Sequence, residues 1–148
     1  MRVALDTNVL AYAEGINDPV RHASALQLVR RLPREATIIP VQVLGELFNV
    51  LVRKGGRSSA EAAAALSGWR DAFAQVDTSS DVMAMAADLA ADHQFGIWDA
   101  VIVCAAARAG CRLLLSEDLQ EGFSWGGVTV TNPFASPAHP LLQALLEA

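Results

Sequence analysis

Short apolar runs alternate with longer helical patterns along this chain, and this alternation constrains the fold more than any other feature. The runs span about three or four residues, which suits buried strands rather than helices. Strands are predicted at residues 2–5, 36–39, 75–77, 113–115 and 128–130. Because helix-length stretches separate them and no hairpin signal joins neighbouring runs, the pattern favours right-handed βαβ units. We therefore expect an α/β fold around a short, mainly parallel sheet.

Local signals mark the helices between these strands. Ser58 lies three residues before Glu61, which is the spacing of a capping box at a helix start. Apolar residues at three- and four-residue intervals after Pro40 predict one helix with a single core-facing stripe. Helices are predicted at about residues 9–13, 19–32, 40–54, 59–73, 80–93, 98–109 and 141–146.

Four carboxylates lie at the ends or on the apolar faces of these elements, where packing alone does not require acidic residues. Asp6 and Asp118 follow predicted strands, at the edge of a parallel sheet where ligands bind. Glu46 interrupts an apolar helical stripe, and Asp99 opens an apolar helix. An unpaired buried charge costs several kcal/mol, so a shared site would need a hard cation to relieve the repulsion. All-oxygen ligation suits Mg²⁺ or Mn²⁺, and we interpret the chain as a metal-dependent phosphodiesterase.

Single residues of this set also have ordinary interpretations. Asp99 could stabilise a helix dipole by about 0.3–1 kcal/mol, and Glu46 could be a solvated residue near the start of its helix. The metal site is favoured because all four would otherwise have to be incidental. Glu117, beside Asp118, is predicted to be a solvated neighbour. The tryptophans are predicted to be core or interface anchors: Trp69, Trp98 and Trp125.

Size and charge narrow the class of protein further. The 148 residues suit a single domain over residues 1–148. No apolar run approaches the roughly 20 residues of a membrane span, and the start lacks a secretory signal, so we expect a cytoplasmic protein that does not enter membranes. The net charge of −5 argues against nonspecific binding to nucleic acid, although two divalent ions would change it from −5 to −1. Cys104 and Cys111 are expected to be reduced thiols.

Several motifs in order resemble the PIN-domain nucleases, specifically the VapC-like toxins of toxin–antitoxin modules. They are Leu5-Asp6-Thr7-Asn8, Glu46, Trp98-Asp99-Ala100, Leu115-Ser116-Glu117-Asp118-Leu119 and Asn132-Pro133-Phe134. The resemblance spans nearly the whole chain. It implies a three-layer α/β/α sandwich and an endoribonuclease that depends on Mg²⁺ or Mn²⁺. It also implies a homodimer that a small antitoxin protein holds inactive.

Carried over by position, Asp6, Glu46, Asp99 and Asp118 match the acidic quartet of that family. Asp6 and Asp99 are then the preferred metal ligands, Glu46 a ligand or a base acting through water, and Asp118 a ligand to a second, weaker ion. Thr7 and Ser116 match hydroxyl positions that orient the carboxylates. Ser116 stands where many relatives have threonine, which keeps the hydroxyl.

Other functions compete with this interpretation. A haloacid-dehalogenase-like phosphatase needs a second aspartate two residues after the first, where this chain has Asn8. The glycine motifs of P-loop and dinucleotide-binding proteins are absent from the sequence. Two alternatives stay open: a PIN nuclease of RNA processing, and an inactive PIN-like module that binds RNA or protein.

Overall fold

The computed structural model describes all 148 residues, and it confirms the predicted α/β fold with a mainly parallel sheet. The strands are β1 (Arg2–Leu5), β2 (Thr37–Pro40), β3 (Ala74–Val76), β4 (Cys111–Leu115), β5 (Ser124–Trp125) and β6 (Val128–Thr131). The helices are α1 (Thr7–Ala13), α2 (Pro19–Arg31), α3 (Val41–Arg53), α4 (Ser59–Ala72), α5 (Ser80–His93), α6 (Ile97–Arg108) and α7 (Pro140–Glu147). A 3₁₀ turn, Arg34–Ala36, precedes β2.

The sheet has the strand order β3-β2-β1-β4-β6-β5, and all neighbours are parallel except β5 and β6. Side chains alternate between the two faces of a strand. Residues 3–5 of β1 and residues 113–115 of β4 are nevertheless all fully buried. Helices must therefore cover both faces of the sheet, which gives the three-layer arrangement.

The expectation that the chain contains no hairpin is wrong. β5 and β6 pair in antiparallel fashion across Gly126 and Gly127, whose φ angles are +58° and +85°. Two consecutive residues with positive φ make the tight turn that suits the twist of a hairpin, and glycine adopts it without steric cost. Adjacent glycines between two short apolar stretches were the sequence signal for this hairpin.

Helix α6 forms the centre of the core. Its residues 100–106 are all fully buried, so this stretch of the helix has no face toward solvent. Alanine makes up much of this stretch, and small side chains allow neighbouring elements to approach closely on every side. The apolar stripe of α3 buries Val43, Leu44, Leu47 and Leu51 in the same core, as its spacing predicts.

The remaining segments agree with the sequence in part. Ser58 and Glu61 form the predicted capping box at the start of α4. Cys104 and Cys111 are buried free thiols. The tail ends in α7, where Leu142 is buried in the main core. No helix combines the length and apolar character needed to cross a bilayer.

Candidate metal site

The register of β1 and β4 brings two predicted site residues together. Leu5 pairs with Leu115, so Asp6 and Ser116 follow directly at the carboxyl ends of neighbouring strands. The Asp6 N–H donates to the Leu115 carbonyl at 3.0 Å, and the Ser116 hydroxyl donates to Asp6 Oδ2 at 2.7 Å. Asp6 is only 5% exposed. Its carboxylate is thus fixed in position at the edge of the sheet.

The ionised form of Asp6 is disfavoured despite its hydrogen bonds. It is the N-cap of α1, and its Oδ1 accepts from the Thr7 N–H at 2.7 Å. The pKa of Asp6 is raised to about 6, chiefly by burial and further by the charges of Glu46 and Asp99, against the opposing hydrogen bonds from Ser116 and Thr7. A nearby cation would offset both causes, because it replaces lost hydration and cancels like charge.

Glu46 and Asp99 come from two helices that flank this edge. Thr7 Oγ1 donates to Glu46 Oε1 at 3.0 Å, and Gln42 Nε2 donates to Glu46 Oε2 at 3.1 Å. Asp99 lies in the first turn of α6, is accessible to solvent, and has no such donor. Partial loss of hydration raises the pKa of Asp99, and the charges of Glu46 and Asp118 raise it further. Glu46 is therefore oriented by hydrogen bonds, whereas no hydrogen bond fixes the carboxylate of Asp99.

The four predicted carboxylates belong to one electrostatic cluster. The charges of Glu46 and Asp99 act on Asp6, and those of Glu46 and Asp118 act on Asp99. An all-carboxylate donor set has the chemistry that Mg²⁺ and Mn²⁺ prefer, so the residues fit such an ion. No three of these side chains converge closely enough in this structure to enclose one.

Asn8 connects the cluster and was not identified as a site residue from the sequence. Its Nδ2 lies 3.3 Å from Asp6 Oδ2, 3.2 Å from Ser116 Oγ and 3.4 Å from Asp118 Oδ2. Its Oδ1 accepts from the Glu117 N–H at 3.1 Å. The two hydrogens of the Asn8 amide are shared among these three acceptors. Asn8 therefore lies between Asp6 and Asp118 and donates to both carboxylates. The signal was present in the sequence, as an amide two residues after the aspartate that ends a strand.

Glu117 is not the solvated neighbour that the sequence suggested. Tyr12 Oη donates to Glu117 Oε1 at 2.6 Å, and Arg21 Nε lies 2.6 Å from Oε2. The bond to Glu117 raises the pKa of Tyr12 to about 12. The Phe134 ring contacts both partners, with its centroid 5.6 Å from the Tyr12 ring and 5.1 Å from the Arg21 guanidinium. The Asn132-Pro133-Phe134 motif thus supports the loop that carries Asp118.

Two open clefts adjoin at this edge of the sheet and together form what we call the acidic groove. Their volumes are about 440 Å³ and 500 Å³, and Glu46 and Asn49 line both. The first cleft is also lined by Thr7, Asn8, Lys54 and Asp118. The second is also lined by Gln42, Ile97, Trp98 and Asp99. The two clefts of the acidic groove therefore meet at Glu46 and Asn49.

Known proteins share this architecture. The VapC20 toxin of Mycobacterium tuberculosis, a sarcin–ricin loop cleaving toxin, has a TM-score of 0.66 and 21% identity, over 78% of this chain and 89% of that one. VapBC2 from Rickettsia felis, bound to a promoter DNA fragment, has a TM-score of 0.64 and 17% identity, over 89% and 98%. A toxin–antitoxin complex from Klebsiella pneumoniae has a TM-score of 0.64 and 19% identity, over 86% and 95%. Identities this low establish similarity of fold.

Sequence comparison gives the family. No curated protein matches the chain. The PIN-domain model, however, matches residues 3–123, a span that runs from β1 through Asp118 and includes the whole predicted quartet. Since this match covers most of the sequence and the fold agrees with that of the VapC structures, the chain belongs to the PIN-domain family.

Proposed function

We propose that the protein is an endoribonuclease that depends on Mg²⁺ or Mn²⁺, and that it is the toxin of a VapBC-type toxin–antitoxin module. One observation carries the proposal: hydrogen bonds through Thr7 link Asp6 to Glu46, hydrogen bonds through Asn8 link Asp6 to Asp118, and Asp99 lines a cleft with Glu46. Membership of the PIN-domain family and the fold of the VapC toxins support the same activity. An enzyme of this kind acts on RNA in the cytoplasm.

Each of the four carboxylates has a separate proposed role in metal binding. Asp6 and Asp99 are the proposed ligands of the first ion, Glu46 a further ligand or a base, and Asp118 a ligand of a second ion. When bound, such ions neutralise charge on the phosphate and activate water for attack. Asp6 offers a carboxylate that Ser116 and Thr7 already fix, with oxygens at 2.7 Å from both donors. Asp99 completes the set by rotation of its side chain.

Glu46 is the best-placed group to accept a proton from an attacking water. Thr7 and Gln42 each hold one of its two oxygens, so the carboxylate has a defined orientation at the centre of the acidic groove. General bases need this kind of positioning before their pKa matters. Asn8 keeps Asp118 within reach of the same space by donating to it at 3.4 Å.

The proposal is tested by incubating the purified protein with labelled single-stranded RNA and with DNA of the same sequence. We expect RNA cleavage with Mn²⁺ or Mg²⁺, and complete inhibition by EDTA that an excess of Mn²⁺ reverses. Cleavage that persists in EDTA would contradict the metal mechanism. Tight binding of RNA without cleavage under any metal would show a binding module instead.

Asp99→Asn separates a metal ligand from a simple helix-terminal charge. In EDTA we expect the variant to melt no lower than the wild type, because it removes one of four repelling charges. Mn²⁺ at one fixed, high concentration should raise the melting temperature of the wild type more than that of the variant, since a ligand stabilises more the further its concentration exceeds its dissociation constant. Differential scanning fluorimetry measures both shifts.

Asp81→Asn is the matched control for that comparison. Asp81 also lies in the first turn of a helix, α5, is exposed, lines neither cleft, and pairs only with the exposed Arg108 at 3.3 Å. It should lose at most about 1 kcal/mol of helix-dipole stabilisation and keep the full Mn²⁺ response. An equal Mn²⁺ shift in wild type and Asp99→Asn would remove Asp99 from the site.

A small antitoxin is the proposed partner, and a homodimer is the proposed oligomeric state. The similar structures from Rickettsia felis and Klebsiella pneumoniae are toxin–antitoxin complexes. An antitoxin tail with arginine would suit the acidic groove, because a guanidinium pairs with carboxylates in bidentate geometry. The apolar side chains of Leu51 and Trp69 are not free to receive a partner helix, since they are buried in the protein's own core.

The proposed homodimer and the proposed toxin role can each be measured directly. Light scattering should give twice the chain mass of 15.7 kDa at micromolar concentration, and a monomer would contradict the dimer. Induced expression of the protein alone should arrest growth, and co-expression of an adjacent small gene should restore it. Harmless expression of an active nuclease would instead indicate RNA processing.

A further inference from the structure

Trp98 is anomalous among the tryptophans of this protein. It is 54% exposed and is the only aromatic residue among the large hydrophobic side chains at the surface. Trp69 shows the contrast: it is 8% exposed, stacks on Phe73 at 6.3 Å, and donates its indole N–H to Glu14 at 3.0 Å. Trp98 has no aromatic contact and no hydrogen bond of its own. Of the two roles predicted for it, core anchor or interface anchor, the core role is therefore wrong, and the interface role stays a prediction.

The position of Trp98 links this exposed ring to the carboxylates. It precedes Asp99 in the first turn of α6 and lines the second cleft of the acidic groove together with Gln42 and Asn49. The surroundings are polar, whereas aromatic anchors of protein interfaces usually lie in an apolar centre. The Asn49 side chain makes no hydrogen bond within the protein, and Gln42 uses only its Nε2. Amide groups that make no hydrogen bond within the protein therefore line the same cleft as the ring.

The other end of the groove carries a positive charge. Asn49 also lines the first cleft, and Lys54 at the end of α3 lines that cleft as well. A chain of nucleotides along the groove would thus meet a cation, then the carboxylates, then an exposed aromatic face. Phosphates contact cations, and unpaired bases stack on aromatic rings.

We propose that Trp98 is a substrate-binding residue that stacks on an unpaired base of single-stranded RNA, next to the phosphate that lies at Asp99. This inference rests on the proposed function, because it names the form of RNA that the same groove accepts. A base within a duplex is already stacked on its neighbours and leaves no free face for the ring. The groove therefore selects a single strand, and the amides of Gln42 and Asn49 are placed to contact the edge of the stacked base.

Intrinsic fluorescence tests the proposal without turnover. The protein carries Asp6→Asn to prevent cleavage and is titrated with a single-stranded RNA decamer in Mn²⁺, and separately with the same decamer annealed to its complement. We expect quenching of Trp98 by the single strand, shown by its absence in Trp98→Phe. Trp98→Leu should raise the dissociation constant for RNA roughly five- to hundredfold, whereas Trp98→Phe should keep most of the affinity. Val20→Ala, which alters another exposed apolar residue outside the groove, should bind as the parent does.

The outcomes separate this inference from the proposed function. Equal affinity of parent and Trp98→Leu, equal quenching by the duplex, or no binding of RNA by the parent would each overturn it. So would a Trp98→Leu variant that binds RNA normally but loses its dimer mass or its protein partner, since Trp98 would then be an interface residue. Trp98-dependent binding by a wild-type chain that cleaves nothing would refute the nuclease and leave the inference standing.

Discussion

Replacing Asp6 with asparagine is expected to lower RNA cleavage by more than about a hundredfold. Loss of a residue that only orients a metal ligand already lowers activity or metal affinity roughly ten- to hundredfold. Loss of a ligand itself should cost more. Asp6 is itself a proposed ligand, and it is the most buried carboxylate of the cluster. Asparagine keeps the size of the side chain and can still cap α1. Single-turnover cleavage of labelled RNA in saturating Mn²⁺ measures the loss.

Asp71→Asn is the control for that experiment, because Asp71 is an exposed carboxylate on α4. It should cleave as fast as the wild type. Circular dichroism should show that both variants are folded. If Asp6→Asn retained more than a tenth of wild-type activity, the quartet would not be the catalytic site, and the mechanism proposed for this groove would fail.

The metal-free protein is expected to lose stability as pH rises through the range in which Asp6 ionises. The pKa of Asp6 is raised from 3.8 to about 6 in the folded state, so the folded protein binds this proton more tightly than the unfolded chain does. The stabilisation is complete below the unfolded pKa and is lost as pH rises through the folded pKa. The full shift corresponds to about 3 kcal/mol, of which about 2 kcal/mol is lost between pH 4 and pH 7.

Comparison with Asp6→Asn isolates this contribution from the other carboxylates. The free energy of unfolding is measured in EDTA by urea denaturation at several pH values. From pH 4 to pH 7 the free energy of unfolding of the variant should rise relative to that of the wild type by about 2 kcal/mol, and saturating Mn²⁺ at pH 7 should stabilise the wild type more than the variant. A difference that stays constant with pH would mean that Asp6 has an ordinary pKa.

Most of the architecture could be predicted because it depends on local patterns. Apolar runs of strand length and the Ser58–Glu61 capping box specify elements that neighbouring residues largely determine. The hairpin at Gly126 and Gly127 was missed because its strands are short and β5 has only two residues. For strands this short, the two adjacent glycines are a stronger signal of a hairpin than the apolar pattern is.

The site was predictable where it depended on residue type and not where it depended on contacts. Carboxylates after strands indicated Asp6 and Asp118, since the carboxyl ends of parallel strands share one edge. The bridging role of Asn8 and the pairing of Glu117 depend on distances across more than 100 residues of sequence. Exposure of Trp98 likewise depends on how the first turn of α6 meets the groove, which spacing does not reveal.

The burial of α6 limits how this protein can be regulated. Residues 100–106 are packed on all sides and move only if the core around them repacks, so the exposed turn that carries Trp98 and Asp99 is attached to a rigid stretch of helix. We therefore expect control by occlusion, in which a partner fills the groove, rather than by a relay from a distant surface. Escape from such a partner would then come from degrading or displacing it, since the nuclease beneath it stays assembled throughout.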